Sequence, residues 1–225
     1  AMARQLDPAE PWTHPQAQMW DRITVADFLK RHTFTKRARE MFTIGIGAVF
    51  CAEPHELSLL HALFYARSGR SLGALLSVSG GAQQDRVHGG MGGLATAVAA
   101  SLGDVVRYGE AVQAIGWGKD SVTITTSRQS WRARRVILAV PPSQALGIRF
   151  DPGLPSNRDA LWRRMPAGAC IKCVAQYARP FWRESGLSGQ AVGGDLAVRV
   201  TFDNTEQGRS AGLLLGFIEG EEARR

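Results

Sequence analysis

A single lysine within a mostly apolar run is the most chemically unusual feature of this sequence. Lys172 lies in ACIKCVAQYARPFWR, residues 169–183. The run alternates as a strand does, which predicts one face made of Cys170, Lys172, Val174 and Gln176. A lone ammonium group among apolar neighbours is costly unless it reaches water, finds a partner or has a function. Lys172 is therefore the first candidate for chemistry, and we expect the Pro-Phe-Trp cluster that follows it to pack against the fold.

The three cysteines, Cys51, Cys170 and Cys173, are an odd number, which argues against a disulfide framework. Cys170 and Cys173 form a CxxC pair, a spacing used in redox and metal sites when both sulfurs point the same way. On a strand, positions three apart face opposite sides. The spacing therefore favours buried, inert thiols, and we expect no metal site.

A glycine cluster, HGGMGG at residues 88–93, precedes the helical pattern LATAVAASLG. Amides at a helix start can receive a phosphate, but the spacing favours a tight turn that needs backbone freedom. The sequence contains neither a complete GxGxxG with a downstream acid nor a P-loop. Independent dinucleotide binding is therefore not supported, and no GxSxG nucleophile motif is present.

The chain is basic, and its positive charges are dispersed along the sequence. Its 27 Lys and Arg outnumber its 20 Asp and Glu, which gives a formal net charge of +7. The excess is mainly arginine scattered along the chain, not one block with interleaved aromatics, so we expect no nucleic-acid partner. With 44% hydrophobic and 21% charged residues, the composition is that of an ordinary globular protein. No stretch approaches the length of a membrane span and no signal peptide is recognised, so a cytoplasmic location is expected.

Helices are predicted by apolar periodicity and by caps. The pattern from Thr24 to Phe42 predicts one helix, with Thr24 and Asp27 at its start. A second helix is predicted from Glu53-Pro54 up to a stop at Gly69. Others are predicted after the glycine cluster and from about Ser156, which we expect to be an N-cap.

Strands are predicted in two groups. The runs VVRYG, AVQAIGWG, VTITTS and WRARRVILAV are separated by turn residues and predict an antiparallel meander that ends at Pro141-Pro142. The run around Lys172 is followed by LSGQAV, LAVRVTFDN and GLLLGFIEG, which predict a second sheet. The sequence therefore predicts an α+β fold: a mixed or antiparallel sheet with flanking helices, plus a helix and a β-meander.

Six stretches together resemble one known family. They are AEPHELSLLHALFY, GGAQQDRVHGGMGGL, VILAVPP, FDPGLP, MPAGACIKCVAQYARPFWR and LLLGFIEGEEAR, in this order. They resemble the middle of a flavin-containing monoamine oxidase, from about Trp20 to the end of the chain. The resemblance implies a flavin domain built from separate segments and a substrate domain whose sheet covers the flavin. It also implies FAD as cofactor, a small-molecule amine as substrate and oxygen as electron acceptor, with an imine and hydrogen peroxide as products.

The resemblance also implies roles for individual residues. Lys172 matches the lysine that holds a water against the flavin N5, where a cation can stabilise developing negative charge. The positions that match the substrate cavity are Gln83, Leu75, Leu76, Ala48 and Val49. The positions that match the cofactor site are Gly89, Gly90, Val112, Ala139 and Pro141.

The sequence also departs from this family pattern. The amino-terminal GxGxxG segment and the carboxy-terminal segment that completes the flavin site are absent, so we expect the chain alone to be inactive. The resemblance implies substrate-domain segments at 1–87 and 151–225 and a flavin-domain segment at 88–150. Self-association through a surface left exposed by truncation is a further expectation. The alternative is a non-catalytic binding module that keeps the substrate-domain architecture.

Overall fold

The computed structural model describes residues 2–194, 196–206 and 208–225. In chain order, the helices are α1 (Ala17–Asp21), α2 (Val25–His32), α3 (Lys36–Phe50), α4 (Leu59–Ser68), α5 (Leu72–Leu76), α6 (Gly92–Leu102), α7 (Pro142–Ala145), α8 (Ser156–Arg163), α9 (Phe181–Glu184) and α10 (Glu221–Arg224). The strands are β1 (Val112–Trp117), β2 (Val122–Thr126), β3 (Ser130–Ala133), β4 (Arg149–Asp151), β5 (Cys170–Tyr177), β6 (Ala191–Val192), β7 (Val200–Asp203) and β8 (Gly212–Glu219). These elements form two compact units, residues 1–86 with 168–225 and residues 87–167. The combination of helices with two small sheets confirms the predicted α+β class.

Hydroxyl side chains cap the starts of α2, α3, α4 and α5 in the first unit. At the start of α2, the Asp27 N–H donates to the Thr24 hydroxyl at 3.0 Å and the Thr24 N–H donates to the Asp27 carboxylate at 3.1 Å. Thr35, Ser58 and Ser71 cap α3, α4 and α5 in the same way through their hydroxyl oxygens. Each cap satisfies a backbone N–H that has no partner within its helix. The starts of these helices are therefore encoded locally.

The prediction of one helix from Thr24 to Phe42 is wrong, because the chain breaks between α2 and α3. Thr33 is extended, and its N–H and hydroxyl both donate to the carbonyl of Leu29. Two residues later, Thr35 caps a new helix that continues to Phe50. Short hydroxyl side chains compete for backbone groups in this way, so the two threonines Thr33 and Thr35 within the helical pattern favour a break and a new cap over continuation.

The sheet of the first unit is antiparallel, with strand order β5-β8-β7-β6. Along β5 and β8 the register pairs Cys170 with Glu219 and Lys172 with Phe217. The Phe217 position is also paired with Val200 on β7. Because partners directly opposite in an antiparallel pair share a face, these side chains lie on one side of the sheet.

The core of the first unit contains two clusters formed by its amino-terminal helices. One is centred on Leu6, Trp20 and Leu59, and the other contains Val25, Leu29 and Ile46. The expected packing of the Pro-Phe-Trp cluster is confirmed by Trp182, which is buried on α9. Its indole N–H donates to Asp203 Oδ2 at 2.9 Å, which fixes α9 to the end of β7.

The sheet of the second unit has the order β3-β2-β1-β4. The pairs β1–β2 and β2–β3 are antiparallel, which confirms the meander for residues 112–133. β4 joins β1 in parallel, so the sheet is mixed. The prediction of strands at VVRYG and at the VILAV end of WRARRVILAV is wrong. The first run begins in a 3₁₀ turn over Gly103–Val105 that continues α6, and the second, which includes the almost fully exposed Ile137, has no ladder partner in this unit.

The second unit extends to residue 167, beyond the boundary expected at 150. β4 pairs Phe150 with Ile115, so the chain beyond Pro142 is held to the meander. The Phe150 ring also lies 6.0 Å from the ring of Trp162 on α8. α8 begins at Ser156 with Pro155 in the cap position, so the expected Ser156 cap is wrong by one residue. The assignment of these units to substrate and flavin domains stays a prediction.

Candidate functional site

Lys172 lies on the edge strand of the first-unit sheet. All eight residues of β5 are exposed, because β5 has only β8 beside it in the sheet. The Lys172 ammonium lies 5.6 Å from the centroid of the Phe217 ring, directly across on β8. An ammonium at this distance is attracted by the negative face of an aromatic ring. The cation that the sequence marked as unusual therefore has an aromatic partner.

Phe217 is itself held by a second aromatic residue. Phe202 on β7 lies 5.8 Å from Phe217, with the two rings edge to face at 81°. Edge-to-face packing is a favoured arrangement, so the ring under Lys172 has a defined orientation. The result is an ammonium group presented on an apolar, aromatic part of the sheet. Neither Phe217 nor Phe202 was singled out from the sequence, although the alternation of GLLLGFIEG places Phe217 on one face.

A buried carboxyl group lies at the other end of the same face. Glu219, the Cα partner of Cys170, is 2% exposed, and neither of its carboxyl oxygens has a hydrogen-bond partner among the described residues. Burial raises the pKa of Glu219 to about 7; the charge of Arg199 opposes this shift and that of Glu53 adds to it. α3 reaches this group, since a β-carbon on Gly47 would lie 3.2 Å from Glu219 Oε2.

Glu53 and Arg199 form a largely buried ion pair beside Glu219. Arg199 Nη1 lies 3.4 Å from Glu53 Oε1, although 146 positions separate the two residues. The same oxygen accepts the Glu221 N–H at 3.3 Å, at the start of α10. Gly220, between Glu219 and Glu221 in the sequence, has a φ of 62°. A β-carbon at this position would collide with the Glu53 carboxylate. This cluster ties the end of β8 to the segment after α3, and it was missed because it depends on contacts distant in sequence.

The predicted cavity residues of the first unit come together on α3, on α5 and in the segment after α5. Ala48 and Val49 are half-buried near the end of α3, and Leu75 and Leu76 are half-buried on α5. Leu76 packs against α3, since its Cδ1 would lie 3.4 Å from a β-carbon at Gly45.

Gln83 is attached to α5 by its side chain. Its amide Nε2 donates to the Leu75 carbonyl at 3.2 Å, and its backbone N–H donates to the Ser77 carbonyl at 3.1 Å. The position of the Gln83 side chain is therefore fixed from both ends, and its amide oxygen keeps its acceptor capacity.

The predicted cofactor residues all belong to the second unit. Gly89 and Gly90 have φ values of 77° and 84°, a conformation that favours glycine. The Gly90 N–H donates to the Val87 carbonyl at 2.9 Å, so this segment is a tight turn ahead of α6. Val112 begins β1, whereas Ala139 lies outside regular structure and Pro141 directly precedes α7.

The cysteines differ from expectation in their exposure. Cys170 and Cys173 are exposed and Cys51 is half-buried, so the prediction of buried thiols is wrong for the pair on β5. The physical reason is that β5 is an edge strand, which the sequence pattern does not reveal. No group of three His, Cys, Asp or Glu side chains within the described residues is arranged to hold a metal ion. Within the same residues, no helix is long and apolar enough to cross a membrane.

Comparison with known proteins gives the family. The model of the flavin containing amine oxidoreductase family matches residues 12–225. The chain is 37% identical over 218 residues to a putative flavin-containing monoamine oxidase, AofH, of Mycobacterium tuberculosis, covering 97% of this chain and 48% of that protein. It is 30% identical over 227 residues to amine oxidase [flavin-containing] B of Homo sapiens, covering 100% of this chain and 44% of the relative.

Comparison with solved structures finds amine oxidases as well. Cyclohexylamine oxidase from Brevibacterium oxydans matches with a TM-score of 0.92 and 30% identity, over 100% of this chain and 50% of that one. A wild-type putrescine oxidase bound to putrescine matches with a TM-score of 0.89 and 31% identity, over 99% and 50%. The chain belongs to the flavin-containing amine oxidoreductase family, whose members are FAD-dependent oxidoreductases. It spans about half the length of the relatives that it matches.

Two features of this chain fit the FAD of that family. The Lys172 ammonium stands on an exposed aromatic face, where it can meet an electron-rich group. In the second unit, a β-carbon at Gly89 or Gly90 would meet nothing within 4 Å, so the backbone of this turn is open to close approach. The ammonium supplies positive charge and the open turn lets a bound group approach the backbone closely, and both suit an anionic cofactor.

Proposed function

We propose that this chain supplies the half of an FAD-dependent amine oxidase that contains most of the substrate-binding domain. The proposed reaction converts an amine to an imine and reduces oxygen to hydrogen peroxide. The observation that carries this proposal is the placement of Lys172 on an exposed face over Phe217, in a chain of this family. The 225-residue chain alone is proposed to lack turnover, because it spans about half of its relatives. The cytoplasmic location expected from the sequence remains a prediction.

The chemistry that FAD supplies when bound is acceptance of a hydride equivalent from the α-carbon of the amine and transfer of electrons to oxygen. The contribution of Lys172 is electrostatic. Its three N–H donors can hold a water in place and stabilise negative charge that develops on oxygen. The aromatic ring of Phe217 limits the hydration of the ammonium on one side, which strengthens its interaction with a nearby anion.

The proposed role of the first-unit candidates is to form walls around the amine. Leu75, Leu76, Ala48 and Val49 present apolar surface, and α5 is packed on α3 at Gly45. The amide oxygen of Gln83 is an acceptor for an amine N–H, because its Nε2 is already used by the Leu75 carbonyl. Such a combination of apolar walls with a single oriented polar group is typical of small-molecule sites.

The proposed cofactor contacts are made by residues of the second unit. The turn at Gly89 and Gly90 has no side chains, so the cofactor can approach its backbone closely; the Gly90 N–H itself donates to the Val87 carbonyl. Val112, Ala139 and Pro141 would supply apolar contact, at the start of β1 and in the segment before α7. These roles rest on the match to the family pattern and on the backbone conformation.

The test compares the 225-residue chain with a full-length protein of the relatives' size that contains it. We expect the full-length protein to bind flavin, seen by absorbance, and to release hydrogen peroxide when an amine such as putrescine or cyclohexylamine is added. The 225-residue chain should give no amine-dependent peroxide. Absence of flavin and of peroxide from a folded full-length protein would overturn the proposed function.

The second candidate is a binding module without catalysis. Large apolar side chains are exposed on the second unit, with Ile137 91% exposed. Such surface is typical of an interface, including one between copies of this chain. Light scattering after size exclusion separates the two. A folded, flavin-free full-length protein that forms one defined assembly would favour the module, and self-association restricted to the 225-residue chain would favour the oxidase.

A further inference from the structure

The structure brings Cys51 and Cys170 together from distant parts of the sequence. Cys51 ends α3 in a left-handed conformation, with a φ of 51°. Its carbonyl accepts the N–H of Ala169, the residue before Cys170, at 2.8 Å. A β-carbon on Gly168 would lie 3.0 Å from Cys51 Cβ, so the two segments are in direct backbone contact. Both segments belong to the first unit.

The two sulfurs are neighbours with different surroundings. Burial, the adjacent Cys170 thiol and the carboxyl of Glu219 together raise the pKa of Cys51 to about 11, with burial as the largest cause. Lys172 acts in the opposite direction. Cys170 is exposed and Cys51 is half-buried. Cys170 is therefore accessible to solutes, and Cys51 is less accessible.

Strand geometry places the Cys173 side chain away from Cys51 and Cys170. It lies on β5 three positions after Cys170, so the two side chains point to opposite faces. Its Cα partner on β8 is Gly216, whereas the partner of Cys170 is Glu219. The CxxC spacing therefore does not mark two neighbouring thiols, and the fold places Cys51 beside Cys170 instead.

We propose that Cys51 and Cys170 form a peroxide-sensitive dithiol, which is oxidised to an intrachain disulfide. The exposed Cys170, as thiolate, attacks one oxygen of hydrogen peroxide; the O–O bond breaks, and Cys170 becomes a sulfenic acid while hydroxide leaves and takes up a proton as water. The sulfur of Cys51 then attacks the Cys170 sulfur, loses its proton, and displaces the hydroxyl as a second water. Two thiols are oxidised and one peroxide is reduced to two waters.

The disulfide would join the end of α3 to the start of β5, two residues from Lys172. A cross-link between segments so far apart in sequence restricts the unfolded chain strongly, so the oxidised form should be more stable. The inference does not depend on the proposed function, because the peroxide is added in the test. If the proposed function holds, the oxidant would be the product of the enzyme itself.

The test treats the reduced, folded 225-residue chain with hydrogen peroxide near stoichiometry, then alkylates the remaining thiols. We expect two of the three thiols to be lost, the intact mass to fall by two hydrogens, and a peptide map to show Cys51 joined to Cys170. The melting temperature should rise by several degrees and return after reduction. A map that joins Cys170 to Cys173, a disulfide between chains, or three thiols that remain free would overturn the proposal.

Three serine variants serve as matched controls. Cys173→Ser should form the disulfide as the parent does, because this thiol faces the other way. Cys51→Ser and Cys170→Ser should each form no intrachain disulfide under peroxide and should show no gain in melting temperature. The peptide map of the parent chain decides the proposal even where a variant fails to fold. Oxidation of Cys170 to sulfinic acid with Cys51 still free would also contradict it.

Discussion

The Lys172 ammonium lies 5.6 Å from the centre of the Phe217 ring, with the two residues directly paired across β5 and β8. Phe202 fixes the ring from the next strand. The cation is therefore oriented by the sheet, while its strand remains exposed. This arrangement gives Lys172 a defined position without neutralising its charge.

The first prediction concerns the charge of Lys172. In the full-length flavoprotein, Lys172→Met should slow reoxidation by oxygen by about 100-fold, the order seen when one stabilising donor is removed. Reduction by the amine should change much less, because the proposed charge develops on oxygen. Stopped-flow measurement of both half-reactions checks this. Lys30→Met, at an exposed position on α2, is the control that should change neither rate. Equal slowing of both half-reactions by Lys172→Met would mean a structural role.

The second prediction concerns the ring beneath the ammonium. Phe217→Leu keeps an apolar side chain but removes the cation–π contact, so reoxidation should slow by about two- to fivefold. In the Lys172→Met background the same change should have no further effect on that rate. Phe34→Leu, at a 94% exposed position outside the sheet, is the matched control that should leave this rate unchanged. Additive effects of Lys172→Met and Phe217→Leu would show that the two side chains act independently.

The third prediction concerns the buried carboxyl of Glu219. Its pKa is raised from 4.5 to about 7 by burial, so between these values the folded chain holds a proton that the unfolded chain has lost. The contribution of this group to stability is therefore most favourable at low pH and falls as pH rises through about 7. The groups around it are Glu53, Arg199 and the thiols of Cys51 and Cys170.

Glu219→Gln tests this pH dependence. The amide cannot ionise, so the variant should be more stable than the parent at pH 8, by up to about 3 kcal/mol, and close to the parent at pH 5. Urea denaturation at several pH values measures the difference. Glu10→Gln, at an exposed position, should leave the pH profile unchanged. A Glu219→Gln profile parallel to that of the parent would show that Glu219 stays ionised in the folded chain.

The fourth prediction concerns the turn between β8 and α10. Gly220 has a φ of 62°, and an added β-carbon would collide with the Glu53 carboxylate. Gly220→Ala should therefore cost more than the roughly 1 kcal/mol of backbone strain expected for alanine at positive φ. Gly186→Ala is the matched control, because its φ is 68° but its β-carbon would meet nothing within 4 Å. Equal loss of unfolding free energy in the two variants would mean that the Glu53 contact relaxes freely.

Local chemistry explains which predictions from sequence were confirmed. Thr24 and Asp27 form the expected capping box, and the alternation around Lys172 does form a strand. The helix predicted to run through Thr33 failed for a local reason as well, since hydroxyl side chains compete with the helix for backbone groups. These features depend on residues a few positions apart, so their patterns can be recognised in the sequence.

The sequence by itself determined the α+β class, the strand that carries Lys172 and the resemblance to flavin amine oxidases. Only the tertiary structure decided that Lys172 faces Phe217, that Cys51 and not Cys173 adjoins Cys170, and that Glu219 is buried beside Glu53 and Arg199. The physical reason is that strand register and helix packing bring together residues as far as 168 positions apart. No local periodicity encodes such a pair, and the exposure of β5 follows from its place at the edge of the sheet.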